Sequence, residues 1–147
     1  MFEIPVKYDG VGDAILALNC SGEYGTSFIV KTRSEEGTGS PEWNKKKDDY
    51  FYHNLDLDET LHYLPAISEW LGVNIGVEFR TLQTDKLYHT EKEGNINYYM
   101  YVISVNNRCL FHQNNMVHAP LFEIRRNVIN YIARLVFNYD LIKSKEI

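Results

Sequence analysis

Apolar residues come in short alternating bursts along most of this chain and settle into a helical period in only two places. Ala14 to Cys20 carries Ile15, Leu16 and Leu18, and Thr26 to Thr32 carries Phe28, Ile29 and Val30. Between them lies Ser21-Gly22-Glu23-Tyr24-Gly25, whose glycines can adopt positive φ. The pattern predicts a β-hairpin, with a short earlier strand around Val6 and Tyr8. Residues 34–49 hold few aliphatics and many turn formers, which predicts a long loop with Trp43 inside it. Asp56-Leu57-Asp58-Glu59-Thr60 then opens a helix, because acidic residues complement the dipole and cap free N–H groups. Leu61, Leu64, Ile67, Trp70 and Leu71 follow at helical spacing. Pro65 falls within that pattern, so it either kinks the helix or starts a second one, and Gly72 ends it.

Val73 to Arg80 alternates apolar and polar residues, as a strand with one wet face does. Ile96 to Val105 is apolar on both alternating sets, as in a central strand. Asn106-Asn107 suits a two-residue turn, returning Arg108 to Gln113 as the hairpin partner. Pro120 suits a first helical turn. Beyond it, Leu121, Ile124, Val128, Tyr131, Ile132 and Leu135 make an apolar face opposite Glu123, Asn127, Asn130 and Arg134. The expected class is α+β: a mostly antiparallel sheet of about five to six strands with two main helices packed against it.

Composition narrows the class without changing it. The chain has 147 residues, 44 % hydrophobic and 24 % charged, which suits a single globular domain over residues 1–147. Nine glycines, four prolines and two cysteines exclude collagen-like and disulfide-scaffold classes. The amino terminus lacks a basic start followed by an apolar stretch, and no apolar run approaches the about 20 residues a membrane helix needs. The expectation is a cytoplasmic protein without a membrane partner. Cys20 and Cys109 follow no metal or redox spacing, so reduced, buried thiols are expected.

No motif declares a chemistry. Glu59 and His62 have the Glu-x-x-His spacing, but bundle metal sites use it in paired copies and no second copy is present. Gly10-Val11-Gly12 begins like a dinucleotide fingerprint, yet Ile15 replaces the third glycine and a strand follows where a helix is required. Cys109 and His112 resemble a thiol with its base, but residues three apart on a regular strand face opposite ways. Neither a cofactor nor a metal is expected.

Charge is more informative. Up to Val73 there are 6 basic residues against 13 acidic ones, a net of −7; from Asn74 onward there are 9 against 7, a net of +2. The overall −5 argues against nucleic acid as a partner. Acidity concentrates at Asp48, Asp49, Asp56, Asp58 and Glu59, near Trp43, Tyr50 and Tyr52. Carboxylates steer association with a cationic protein while aromatics supply anchoring area, so these eight residues are the candidate partner-binding set. Eleven tyrosines, among them Tyr98, Tyr99 and Tyr101 on one strand, add recognition area at low entropic cost.

As a short, acidic, Tyr-rich α+β chain without catalytic motifs, it resembles the small bacterial toxin-immunity proteins, including those of contact-dependent growth inhibition systems. That resemblance implies a cytosolic antitoxin that binds and blocks a cognate basic toxin domain, such as a nuclease, and has no enzymatic activity of its own. Two alternatives are a small hydrolase-type enzyme using a His and a carboxylate from separate loops, and a component of a phage or secretion assembly.

Overall fold

The two runs flanking Gly22 and Gly25 pair as the hairpin their pattern predicts. A computed structural model describes residues 1–8, 12–22, 25–32, 44–45, 50–82, 98–114 and 120–145. Strand β2 (Gly12–Gly22) pairs antiparallel with β3 (Gly25–Thr32), with a register shift between Asn19 and Gly22. Strand β1 (Glu3–Tyr8) adds to the far side of β2. It lies at the sheet edge, where Pro5 removes no ladder bond that a neighbour requires. Strand β4 (Asn44–Lys45) pairs with β5 (Phe51–Asn54), and β5 pairs with β3. The order of this first sheet is β1-β2-β3-β5-β4.

Asp56 caps helix α1 (Leu57–His62) with a full capping box. Its carboxylate accepts from Glu59 N–H at 2.8 Å, and the Glu59 carboxylate accepts from Asp56 N–H at 3.2 Å. Pro65 begins a second helix rather than kinking the first: it occupies the first turn of α2 (Leu64–Leu71). Gly72 ends α2 in the left-handed region at φ 73°, a conformation that strains a residue with a Cβ.

The second sheet is a meander of β6 (Ile75–Leu82), β7 (Tyr98–Val105) and β8 (Arg108–Asn114). Asn106 and Asn107 make the β7–β8 turn with φ of 50° and 68°, as a primed hairpin turn demands. Helix α3 (Leu121–Lys145) packs against β3, β8, α1 and α2. Ile124, Val128, Ile132, Ala133 and Val136 are fully buried along it. They join Leu16, Phe28, Val30, Leu57, Ile67 and Ile103 in one apolar core drawn from both sheets and all three helices. Apart from Ala133, each such side chain contributes about 1.5–3 kcal/mol by leaving water.

The α+β class and the antiparallel pairing are those the sequence predicts. The strands, however, divide into a five-stranded and a three-stranded sheet, and α3 contacts a strand of each. Its apolar side is therefore wider than the stripe of a helix covering a single sheet: Ala133 and Val136 are buried, and Tyr131 stacks on Phe111 of β8 with ring centroids 4.3 Å apart. Two further expectations fail. Both cysteines are exposed, because Cys20 lies near the β2 end and Cys109 on the solvent side of edge strand β8. Cys109 and His112 do not face opposite ways either. The register places Cys109 opposite Ser104 but His112 opposite Val102, so a bulge at Leu110 turns both to one face.

Candidate functional site

The five described members of the set singled out by charge and aromaticity do not form one surface. Trp43, Asp48 and Asp49 lie outside the described residues. The others divide between the two faces of the first sheet, because alternate residues of β5 point opposite ways. Tyr52 lies opposite Lys31 in register, on the face that carries Glu3, Pro5 and Ile15. His53 lies opposite Val30, on the core-facing side with Ile4, Ala14 and Leu16.

Asp56, Asp58 and Glu59 gather on that second side, and all three carboxylates hold the fold. Asp56 and Glu59 make the capping box. Glu59 also accepts from the Tyr8 hydroxyl at 2.5 Å and lies 3.5 Å from His53 Nε2. The Tyr8 and His53 rings are 5.7 Å apart. Asp58 pairs with Arg125 Nη2 at 3.0 Å, while Arg125 Nη1 donates to the Tyr101 hydroxyl at 2.8 Å. This joins α1, α3 and β7. Asp58 nonetheless keeps 79 % of its side chain exposed, and Asp56 is exposed as well, whereas Glu59 is partly buried. A cleft of about 340 Å³ beside these groups is lined by Tyr8, Asp58, Glu59, His62 and Tyr63.

The opposite face of the same sheet carries two clefts with largely apolar linings. Tyr50 is half-buried there, with the Lys31 ammonium 5.1 Å from its ring centre. A cleft of about 330 Å³ runs along Pro5, Ile15, Lys31 and Tyr50. A second cleft, of about 370 Å³, is lined by Met1, Phe2, Ala17, Leu18, Phe137 and Leu141. Lys31 lines both clefts, and the Glu3 carboxylate fixes its ammonium at 2.6 Å. The pair thus forms a neutralised saddle between two apolar hollows. Beside the second hollow, Phe137, Leu141 and Ile142 are exposed on the last turns of α3, Ile142 to 55 %. Asp140 lies among them but is buried, accepting from the Trp70 indole N–H at 3.4 Å.

Sequence reasoning singled out Tyr50 and Tyr52 on this face but not Lys31, Glu3, Phe137 and Leu141. Phe137 and Leu141 do carry a signal, since both are apolar residues lying off the stripe that contains Ile124, Val128 and Ile132. Glu3 and Lys31 belong to strands separated by β2, so only the sheet order brings them together.

Comparison with known proteins adds no relative: no family model, curated protein or solved structure matches this chain. No helix among the described residues is long and apolar enough to cross a membrane.

Proposed function

We propose that this chain acts by binding another protein across the outer face of its first sheet. The partner would be a basic domain of the kind that toxin-immunity proteins neutralise. The observation carrying this reading is the pair of apolar clefts meeting at Lys31, flanked by the exposed side chains of Phe137, Leu141 and Ile142. An apolar surface of this kind on a chain with a net charge of −5 fits a partner that buries aromatic or aliphatic anchors and is drawn in by opposite charge. Tyr50, Tyr52, Phe137 and Leu141 are the anchors. Asp58 adds long-range attraction, while Asp56 and Glu59 serve the helix start. On the immunity reading, the bound chain covers the toxin's substrate entrance, with no reaction on this chain, in the cytoplasm where the toxin would act.

The test takes a basic domain that co-purifies with this chain from among the products of neighbouring reading frames, with affinity measured by calorimetry. Phe137→Ser and Leu141→Ser each weaken binding by at least about tenfold, the effect of losing roughly 1.4 kcal/mol at an anchor. Asp58→Lys lowers the association rate and its salt dependence. Full affinity in the doubly substituted Phe137→Ser, Leu141→Ser protein overturns the assignment.

One observation favours a second reading, an acid–base enzyme: His53 meets Glu59 beside an open cleft. The same variants separate the two. Glu59→Gln leaves partner affinity intact on the first reading and abolishes turnover on the second.

A further inference from the structure

Independently of partner binding, we propose that the outer end of the β2–β3 hairpin is a hinged ribbon that swings off α3 as a unit and uncovers Leu55 and Ile129. Strand pairing sets the hinge. β1 accompanies β2 only from Gly12 to Ala17, and β5 accompanies β3 only from Ile29 to Thr32. Beyond those limits, among the described residues, the strand pairing of β2 and β3 is with each other alone. A two-stranded ribbon without further support is marginally stable. Burial changes at the same place. Leu16, Phe28 and Val30 are fully buried, and the Phe28 carbonyl accepts from Leu55 N–H at 2.9 Å. Past this pin, no described residue of the ribbon from Leu18 to Ser27 is buried. The register shift between Asn19 and Gly22 lies within the ribbon and weakens its ladder.

The seat of the ribbon on α3 carries its own opposition. Gly25, at φ +105°, lies so close to Asn130 of α3 that a Cβ there would collide with the carboxamide. At this contact the Asn130 Oδ1 is buried and meets no donor among the described residues. A buried acceptor without a donor disfavours the closed form, and swinging the ribbon away returns the carboxamide to water. Next to the contact, a gap of about 270 Å³ lies between Thr26 and Ser27 of the ribbon and Leu55 and Ile129 of the body. Leu55 is only 4 % exposed in the closed form. Apolar cover therefore holds the ribbon down while Asn130 pushes against it. That balance, at the end of a strand pair pinned at Phe28, makes a local two-state element.

The experiment is amide hydrogen exchange of the full chain, followed by NMR across a series of urea concentrations below the unfolding transition. The expected result is that ribbon amides, from Leu18 to Gly22 and Gly25 to Ser27, exchange at least about 100-fold faster than those of Leu16 and Val30. Their exchange is also nearly independent of urea, because local opening exposes little surface, whereas exchange at Leu16 and Val30 rises steeply with it. Asn130→Leu, which removes the unmet acceptor and keeps the bulk, slows ribbon exchange by about tenfold. Gly25→Ala crowds the same contact and quickens it. Ribbon amides that share the rate and urea dependence of Leu16 and Val30 overturn the proposal in the unsubstituted protein, whatever the variants do. So does ribbon exchange that is unchanged or faster in a folded Asn130→Leu protein.

Discussion

Replacing Glu59 tests whether the acidic start of α1 belongs to the fold or to an interface. Glu59→Ala removes the reciprocal half of the capping box, the acceptor for the Tyr8 hydroxyl, and the carboxylate beside His53. Loss of a cap is worth about 1 kcal/mol. A hydrogen bond to a charged acceptor is worth about 1.5–3 kcal/mol, and the lower end applies because the Glu59 side chain is 31 % exposed. Together these give a loss of about 2–3 kcal/mol. At roughly 2–4 °C per kcal/mol for a chain of this size, the melting temperature falls by roughly 4–12 °C. The assay is urea unfolding followed by circular dichroism, run as a double-mutant cycle with Tyr8→Phe. A coupling energy of about 1 kcal/mol assigns the Tyr8–Glu59 bond a structural role. A Glu59→Ala protein within about 0.5 kcal/mol of the parent, or strict additivity with Tyr8→Phe, refutes this account and returns Glu59 to the interface.

Three other outcomes follow from the same geometry. Gly25→Ala destabilises the protein by more than about 1 kcal/mol, because its φ of +105° disfavours a Cβ and Asn130 fills the space; adding Asn130→Ala recovers part of the loss in denaturant titrations. Asp58→Asn costs less than about 1 kcal/mol in the same titrations, since its pair with Arg125 is largely solvated, and a larger loss would mark the pair as a main tie between α1 and α3. Burial raises the Tyr99 phenol above its ordinary range, with Tyr101 adding to the shift. Below that range both folded and unfolded forms are protonated. As pH rises through about 10 the unfolded chain releases its proton first, so stability falls; Tyr99→Phe flattens that alkaline decline in pH-resolved melting curves.

Local patterns in the sequence specify most of the elements. Gly22 and Gly25 mark the hairpin, Asp56 and Glu59 the capped start of α1, Gly72 the end of α2, and Asn106-Asn107 the primed turn, because each depends on conformational preferences within a few residues. Period also separates the strands from α3. Three features rest on contacts distant in the chain. The division into two sheets rests on long-range pairing, β3 with β5 in one sheet and β6 with β7 in the other, and α3 packs against β3 and β8 at once. The bulge at Leu110 shifts register by one residue and reverses the facing of Cys109 relative to His112. Alternation along β5 is visible in sequence, but only the order β1-β2-β3-β5 shows that Tyr50 and Tyr52 share a face with Glu3 and Lys31, while His53 shares the other with Tyr8 and Glu59. Charge clustering along a chain measures proximity in sequence, whereas the destination of a carboxylate is decided by the nearest unsatisfied donor in space. For Asp56 and Glu59 those donors were backbone N–H groups at the helix start, with a tyrosine hydroxyl for Glu59 as well.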